Sequence, residues 1–252
     1  MTNKDIAARV NYAVQQGEAE LAATLVAENY IQHTPAVADG RAGLVALVTK
    51  IRNKEIPAPL ISNVRVFEDG EFVVLHHDVN WPNKKTMFEI FRFEGGLAAE
   101  HWSGIMDAPS SAVNGHTMTD GATEVADRHL TGENKKLVTG FVETVLIKGQ
   151  FGKIRDFYAE NIIQHNPLID NTVTGLIDGF KELTKQGITI QIEKVVKTLG
   201  EGNFVLVCSE GKLSGKPTAF FDLFRVESGK VVEHWDVLQE IPAKSANPNP
   251  FF

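Results

Sequence analysis

Apolar positions along the chain run first in a helical rhythm and then in a strand rhythm, and they do so twice. Ile6, Val10 and Val14, followed by Leu21 and Leu25, recur at helical spacing and are interrupted by Gly17. Val138, Val142 and Leu146, followed by Ile154 and Phe157, repeat the pattern around Gly149. Each set predicts two short helices. A Pro-terminated loop comes next, then a third helix around 44–51 and 176–183. Runs rich in Val, Ile and Phe follow at 63–67, 72–80, 87–93 and 98–105, and again at 188–198, 204–211, 219–226 and 231–238, separated by turn residues. Three helices followed by a meander of antiparallel strands predict an α+β layout, with helices packed on one face of a curved sheet.

The duplication is visible residue by residue. AENYIQHTP at 27–35 and AENIIQHNP at 159–167 agree at seven of nine positions. FEIFRFEGGLAAEHW at 88–102 and FDLFRVESGKVVEHW at 221–235 agree at eight of fifteen. The offset is 132 residues in the first pair and 133 in the second, and Pro109 and Asn114 answer Pro242 and Asn247. A period this long is the size of a domain rather than of a solenoid repeat. The expected organisation is one copy over 1–110, a linker over 111–131 where Pro, Ser, Gly, Asn and Thr accumulate, and a second copy over 132–252.

Charge and composition narrow the function classes. Twenty-five Lys and Arg against 32 Asp and Glu give a net charge of -7, which argues against nucleic acid or anionic lipid as the main partner. No apolar run approaches the ~20 residues of a membrane span, and MTNKDIAARV lacks a signal-peptide core. A cytoplasmic protein is expected. With one cysteine, Cys208, neither an intrachain disulfide nor a thiolate metal site can form. His76 and His77 are adjacent on a strand and point to opposite faces, so they cannot chelate one ion together. No metal and no cofactor are expected.

The chemistry-bearing residues gather on the hairpins. A three-residue loop through Glu227-Ser228-Gly229 would set Asp222 opposite His234 and place both on one face with Asp236. A two-residue loop would set Asp222 opposite Trp235 instead. The same construction through Glu94-Gly95-Gly96 places Glu89, His101 and Ser103 together. A histidine beside carboxylates on a partly apolar face can titrate near neutral pH, as general acid–base chemistry requires. His165 and His33, from the loop before the third helix, are expected to close over those faces. The plainer reading of each Asp–His or Glu–His pair is a structural hydrogen bond. Phe88, Trp102, Phe221 and Trp235 fall on the opposite face, where an interface or core layer is expected: the two copies packed through the outer faces of their sheets.

The combination Tyr/Ile-Ile-Gln-His-Thr/Asn-Pro, a glycine about ten residues on, and Phe-Arg-x-Glu-x-Gly-x-x-x-Glu-His-Trp resembles the SnoaL-like proteins of the nuclear transport factor two-like superfamily. The resemblance covers both halves. It implies two tandem cone-shaped α+β barrels, each a curved sheet wrapped on helices around a pocket. It also implies polyketide-cyclase-like chemistry without metal or organic cofactor, or isomerase, dehydratase, epoxide hydrolase or simple binding roles in other members. The acidic residue several positions after the Trp in many cyclases is Asp107 in copy one and Glu240 in copy two.

Together these readings predict a small-molecule pocket protein, acting as a lyase or isomerase on a hydrophobic or aromatic carbonyl compound. The catalytic set expected in copy two is His165, Asp222, His234 and Asp236; its counterpart in copy one is His33, Glu89, His101 and Ser103. Ser103 where copy two has Asp236 makes the C-terminal pocket the better equipped, since a hydroxyl accepts no proton near neutral pH. The alternative is a binding or interaction protein with the same fold. An intramolecular pseudo-dimer is expected, with further self-association open.

Overall fold

Thr2 opens the first helix with a capping box: its hydroxyl accepts from Asp5 N at 3.2 Å, and Thr2 N donates to the Asp5 carboxylate at 2.8 Å. In this computed structural model, which describes residues 1–252, α1 (Asn3–Gln16) and α2 (Ala19–Leu25) lead into β1 (Val26–Gln32) and α3 (Gly40–Arg52). Then come β2 (Leu60–Asp69), β3 (Phe72–Asn80), β4 (Lys84–Glu94) and β5 (Leu97–Asp107). The second copy repeats the order. It has α4 (Thr131–Phe141), α5 (Ile154–Phe157), β6 (Tyr158–Gln164), α6 (Thr172–Lys185), β7 (Ile190–Glu201), β8 (Phe204–Leu213), β9 (Lys216–Glu227) and β10 (Lys230–Glu240). Unlike α1, α4 continues into π-helical turns over Val142–Ile147.

The sheets run β1-β5-β4-β3-β2 and β6-β10-β9-β8-β7. Both are mixed rather than purely antiparallel, because β1 pairs with β5 and β6 with β10 in parallel. The pattern predicts no strand here, only the Pro-terminated QHTP and QHNP loops at their ends. The sequences of these short strands, VAENYIQ and YAENIIQ, carry charged residues in mid-strand, and the burial pattern is buried at the ends and exposed in the middle. Such an edge strand has no clean two-residue period to read.

Alternation along the central strands sends one set of apolar side chains onto the helices. In the first copy Val73, Leu75 and Phe91 meet Ile6, Val10, Leu44 and Val48; in the second Val205, Val207 and Phe224 meet Val138, Phe141 and Leu176. Phe141 stands edge-on to both Tyr158 and Phe224, at centroid distances of 4.8 and 5.9 Å. Gly43 and Gly175, the glycines of the repeated motif, sit where α3 and α6 begin against the preceding loop. A Cβ on Gly43 would come within 2.0 Å of the Ala38 carbonyl oxygen, and one on Gly175 within 3.0 Å of Asp170. The loop can pass that close only if the helix carries no side chain there.

Contacts divide the chain into two units, Met1–Asp107 with Pro242–Phe252, and Ala108–Ile241. The segment after β10 therefore completes the first unit, and the segment after β5 completes the second. Corresponding residues do the fastening. Asn247 Nδ2 donates to the carbonyls of Thr34 and Val37, both at 2.9 Å; Asn114 Nδ2 donates to those of Asn166 and Ile169, at 2.7 and 2.9 Å. Phe88, Trp102, Phe221 and Trp235 are all buried. No helix is long and apolar enough to cross a membrane.

Candidate functional site

The hairpin β9–β10 turns on two residues, Ser228 and Gly229, both at positive φ (51° and 71°), the backbone of a type I′ turn. Glu227 pairs with Lys230 and Val226 with Val231; then Val232 is left unpaired, and Glu233 pairs with Arg225. The expected three-residue loop is replaced by a two-residue turn followed by a bulge. The extra residue of the bulge restores the parity that the shorter turn removed. Asp222 thus faces Asp236, and His234 faces Phe224, not the Asp222–His234 pairing expected from the longer loop. All three polar residues still share the inner face. The β4–β5 hairpin, through Gly95 and Gly96, does the same: Glu89 faces Ser103 and Phe91 faces His101.

In the second copy His234 bridges diagonally. Its Nε2 donates to Asp222 Oδ1 at 3.1 Å and its Nδ1 to Gln164 Oε1 at 2.9 Å. Burial by itself would disfavour a charged ring, but the hydrogen bond to Asp222 and the charges of Asp236 and Asp222 raise its pKa above the ordinary histidine value. A ring donating from both nitrogens is an imidazolium. Asp236 lies beside it, 6% exposed. Its Oδ2 accepts from Asn166 Nδ2 at 2.6 Å, and its Oδ1 has no partner. Burial and the Asp222 charge push its carboxyl up to about 6, against the opposing pull of His234 and Asn166.

These groups form one polar wall of a cavity of about 60 Å³, room for several waters. The other walls are apolar, including Phe141, Leu176, Phe180, Phe220 and Phe224, with Leu146 supplied by the π-helical turns. Tyr158 also lines it; burial first, then the charges of Asp222 and Asp236, hold its hydroxyl protonated well above the usual tyrosine range. A second apolar cavity of about 80 Å³, bounded by Phe151, shares Phe180, Leu183 and Ile192 with the first.

The first copy spends its carboxylate differently. Glu89 Oε2 accepts from Asn11 Nδ2 at 2.6 Å and from His77 Nε2 at 2.8 Å, and Oε1 from His101 Nε2 at 3.1 Å. Burial would raise its pKa, but the hydrogen bonds from His101 and His77 and their charges prevail and hold it far below the usual carboxylate range. Ser103 Oγ is paired with Thr34 Oγ1 at 2.7 Å.

His165 and His33 do not close over these faces. β6 and β1 continue their parallel pairing one residue further, through His165 N to the His234 carbonyl and His33 N to that of His101. Alternation therefore sends Gln164 inward, His165 outward and Asn166 inward again. His165 stacks on Trp235 at 4.7 Å, and His33 on Trp102 at 4.7 Å. His165 places Nε2 against Glu233 at 3.0 Å and Nδ1 against the Thr117 carbonyl at 2.8 Å; His33 places Nε2 against Glu100 and Nδ1 against the Pro250 carbonyl. Arg225 and Arg92 bind the same two glutamates, at 2.7 and 2.8 Å. The outward His of the Gln-His segment, the Arg, and the Glu and Trp of Glu-His-Trp thus clasp the segment that completes each unit.

Sequence reasoning missed Tyr158, Gln164, Asn166, Asn11 and His77 as site residues. The signal for Gln164 and Asn166 lies in their alternation with His165. Two groups bring three metal-capable side chains within 4.8 Å: Asp222, His234 and Asp236, and His116, Asp120 and His165. The nitrogens of His234 face Gln164 and Asp222, and those of His165 face Thr117, Asp120 and Glu233.

Among solved structures the chain is similar to an NTF2-like protein of unknown function from Cytophaga hutchinsonii, at 15% identity over 42% of this chain and 91% of that one, TM-score 0.36. It is also similar to an uncharacterised cystatin-fold protein from Novosphingobium aromaticivorans, at 13% identity over 41% and 97%, TM-score 0.37. A provisionally assigned polyketide cyclase from Sinorhizobium meliloti is similar at 14% identity over 39% and 93%, TM-score 0.35. No curated protein matches the chain. Over residues 7–101 the chain matches the model of the SnoaL-like domain.

Proposed function

We propose that the second copy is a cofactor-independent acid–base site that removes a proton α to a carbonyl, in a lyase or isomerase of the cyclase type. Asp236 is the base. The carrying observation is its buried, unpartnered Oδ1 on a residue that lines an apolar cavity, on a carboxyl whose pKa of about 6 suits proton transfer near neutrality. Oδ1 takes the α-proton, the C–H electron pair becomes the enolate double bond, and the carbonyl π pair moves to oxygen. The Tyr158 hydroxyl, kept protonated, and the His234 imidazolium supply positive potential where that charge develops. Returning the proton to another carbon gives an isomerisation; attack of the enolate on a second carbonyl gives an aldol closure.

The apolar walls favour a hydrophobic or aromatic ligand, and the match of residues 7–101 to a SnoaL-like domain supports a pocket protein of this kind. The first copy lacks such a base, because Glu89 is occupied by three donors. The test is exchange of α-hydrogens for deuterium, followed by NMR, in a panel of flat aromatic ketones. Catalysed exchange that disappears in Asp236→Asn supports the proposal; binding without exchange supports a non-catalytic pocket.

A further inference from the structure

Two buried atoms of the second copy lack partners, and they are of opposite kind: Gln164 Nε2 is a donor and Asp236 Oδ1 an acceptor. The amide of Gln164 has a defined orientation. Its Oε1 accepts from His234 Nδ1 at 2.9 Å, His165 N at 3.0 Å and Asn166 N at 3.0 Å, so three donors hold the oxygen and the NH₂ group is left over. Asp236 is fixed through the same neighbour, since Asn166 Nδ2 binds Oδ2. Gln164 is 1% exposed and Asp236 6%, and both line the one cavity.

The first copy places a phenol beside this amide. There Gln32 uses Oε1 in the same way, accepting from His101 Nδ1 and Thr34 N, while the Tyr30 hydroxyl, pushed up by burial and by the Glu89 charge, is pulled the other way by the Gln32 side chain. The second copy has Ile162 at the position of Tyr30, which offers nothing to Gln164. Within the repeated nine residues only two positions differ, Tyr30/Ile162 and Thr34/Asn166. One replaces the phenol beside that amide with a hydrocarbon, and the other anchors Asp236. A buried donor left without a partner is costly, and a native fold that keeps one calls for an occupant.

We propose that Gln164 Nε2 receives the carbonyl oxygen of the ligand while Asp236 Oδ1 faces its acidic hydrogen. The site then fits compounds with an acceptor and an acidic hydrogen on neighbouring groups along one edge: enolisable ketones, their enols, and the cis-amide edge of a lactam. The inference rests on the acid–base reading for the role of Asp236 but is tested by binding alone.

The probe is 2-quinolinone, a flat lactam, titrated into the full-length protein by calorimetry, with N-methyl-2-quinolinone as its control. The lactam should bind, and N-methylation should weaken it at least about tenfold, the loss of one buried hydrogen bond. Gln164→Glu keeps the oxygen that holds His234 and replaces the donor, and should weaken the lactam by at least about tenfold. Ile162→Tyr returns the phenol of the first copy beside the Gln164 amide and should do the same. Near-ultraviolet circular dichroism checks that each variant is folded, and either folded variant suffices. No binding of the lactam to the wild type, or equal binding by a folded variant, overturns the proposal. Lactam binding that depends on Gln164 in a protein that exchanges no α-hydrogens upholds it and counts against the acid–base reading alone.

Discussion

Asn166 Nδ2 holds Asp236 by one oxygen, at 2.6 Å, and leaves the other unpartnered. The counterpart in the first copy is Thr34, whose hydroxyl meets Ser103 instead. One substitution in a repeated loop therefore goes with a carboxylate in one copy and a closed hydroxyl pair in the other. The pocket chemistry of this chain follows from that asymmetry.

Removing the charge of Asp236 should stabilise the fold. Its carboxyl is raised to about 6 from the ordinary 3.8, so the folded state holds a proton that the unfolded state has released. Stability contributed here falls as pH rises from about 4 to about 6 and is flat above. Asp236→Asn removes that loss and should gain up to about 3 kcal/mol at pH 7, read by urea unfolding at pH 4 and pH 7. No gain at pH 7 relative to pH 4 would show that the carboxyl is not held up by burial.

Activity should follow a bell-shaped pH profile. The rising limb, near 6, reports ionisation of Asp236, and the falling limb reports loss of the His234 proton above the ordinary histidine value. Because the groups interact, the two apparent values belong to the cluster. The stability contributed by His234 has the matching sign: complete below 6.5 and lost as pH rises through its raised value. His234→Gln should remove the falling limb in rates of α-hydrogen exchange.

Glu89→Gln should destabilise the first copy by about 3–5 kcal/mol, since it breaks a buried charged network and leaves His77 and His101 without their carboxylate. The ionised form is favoured in the fold, so its contribution is present above the ordinary glutamate value and lost as pH falls through the depressed one. Chemical denaturation at pH 7 measures it. A loss below about 1 kcal/mol would mean that the network is loosely solvated.

Asn114→Ala and Asn247→Ala should have like effects on different units. Each removes two hydrogen bonds to a loop carbonyl pair, costing about 1–3 kcal/mol. Amide hydrogen exchange should quicken in residues 166–169 for the first variant and in residues 34–37 for the second. Faster exchange in both loops from either variant would contradict the assignment of each tail to its unit.

Much of this was legible in the sequence, for physical reasons. The duplication, the eight antiparallel strands and the shared face of Asp222, His234 and Asp236 follow from periodicity, and a one-residue slip would have exposed every apolar residue of that face. The cross-strand partners were not legible, because a two-residue turn with a bulge and a three-residue loop give the same parity. His165 was placed on the wrong side for a related reason. Its segment ends in proline and reads as a loop, yet it continues the strand's alternation by one residue. Gln164 and Asn166 were overlooked beside a histidine that draws attention but points away from the cavity.

The most direct test of the account is the rate of α-hydrogen exchange in an aromatic ketone by wild type, Asp236→Asn and Glu89→Gln, measured by NMR at pH 7 on folded protein. The account predicts a loss of about 10²–10⁴-fold for Asp236→Asn and a rate within about twofold of wild type for folded Glu89→Gln, whose effect is on stability. An unimpaired Asp236→Asn, or equal losses from the two variants, would contradict it.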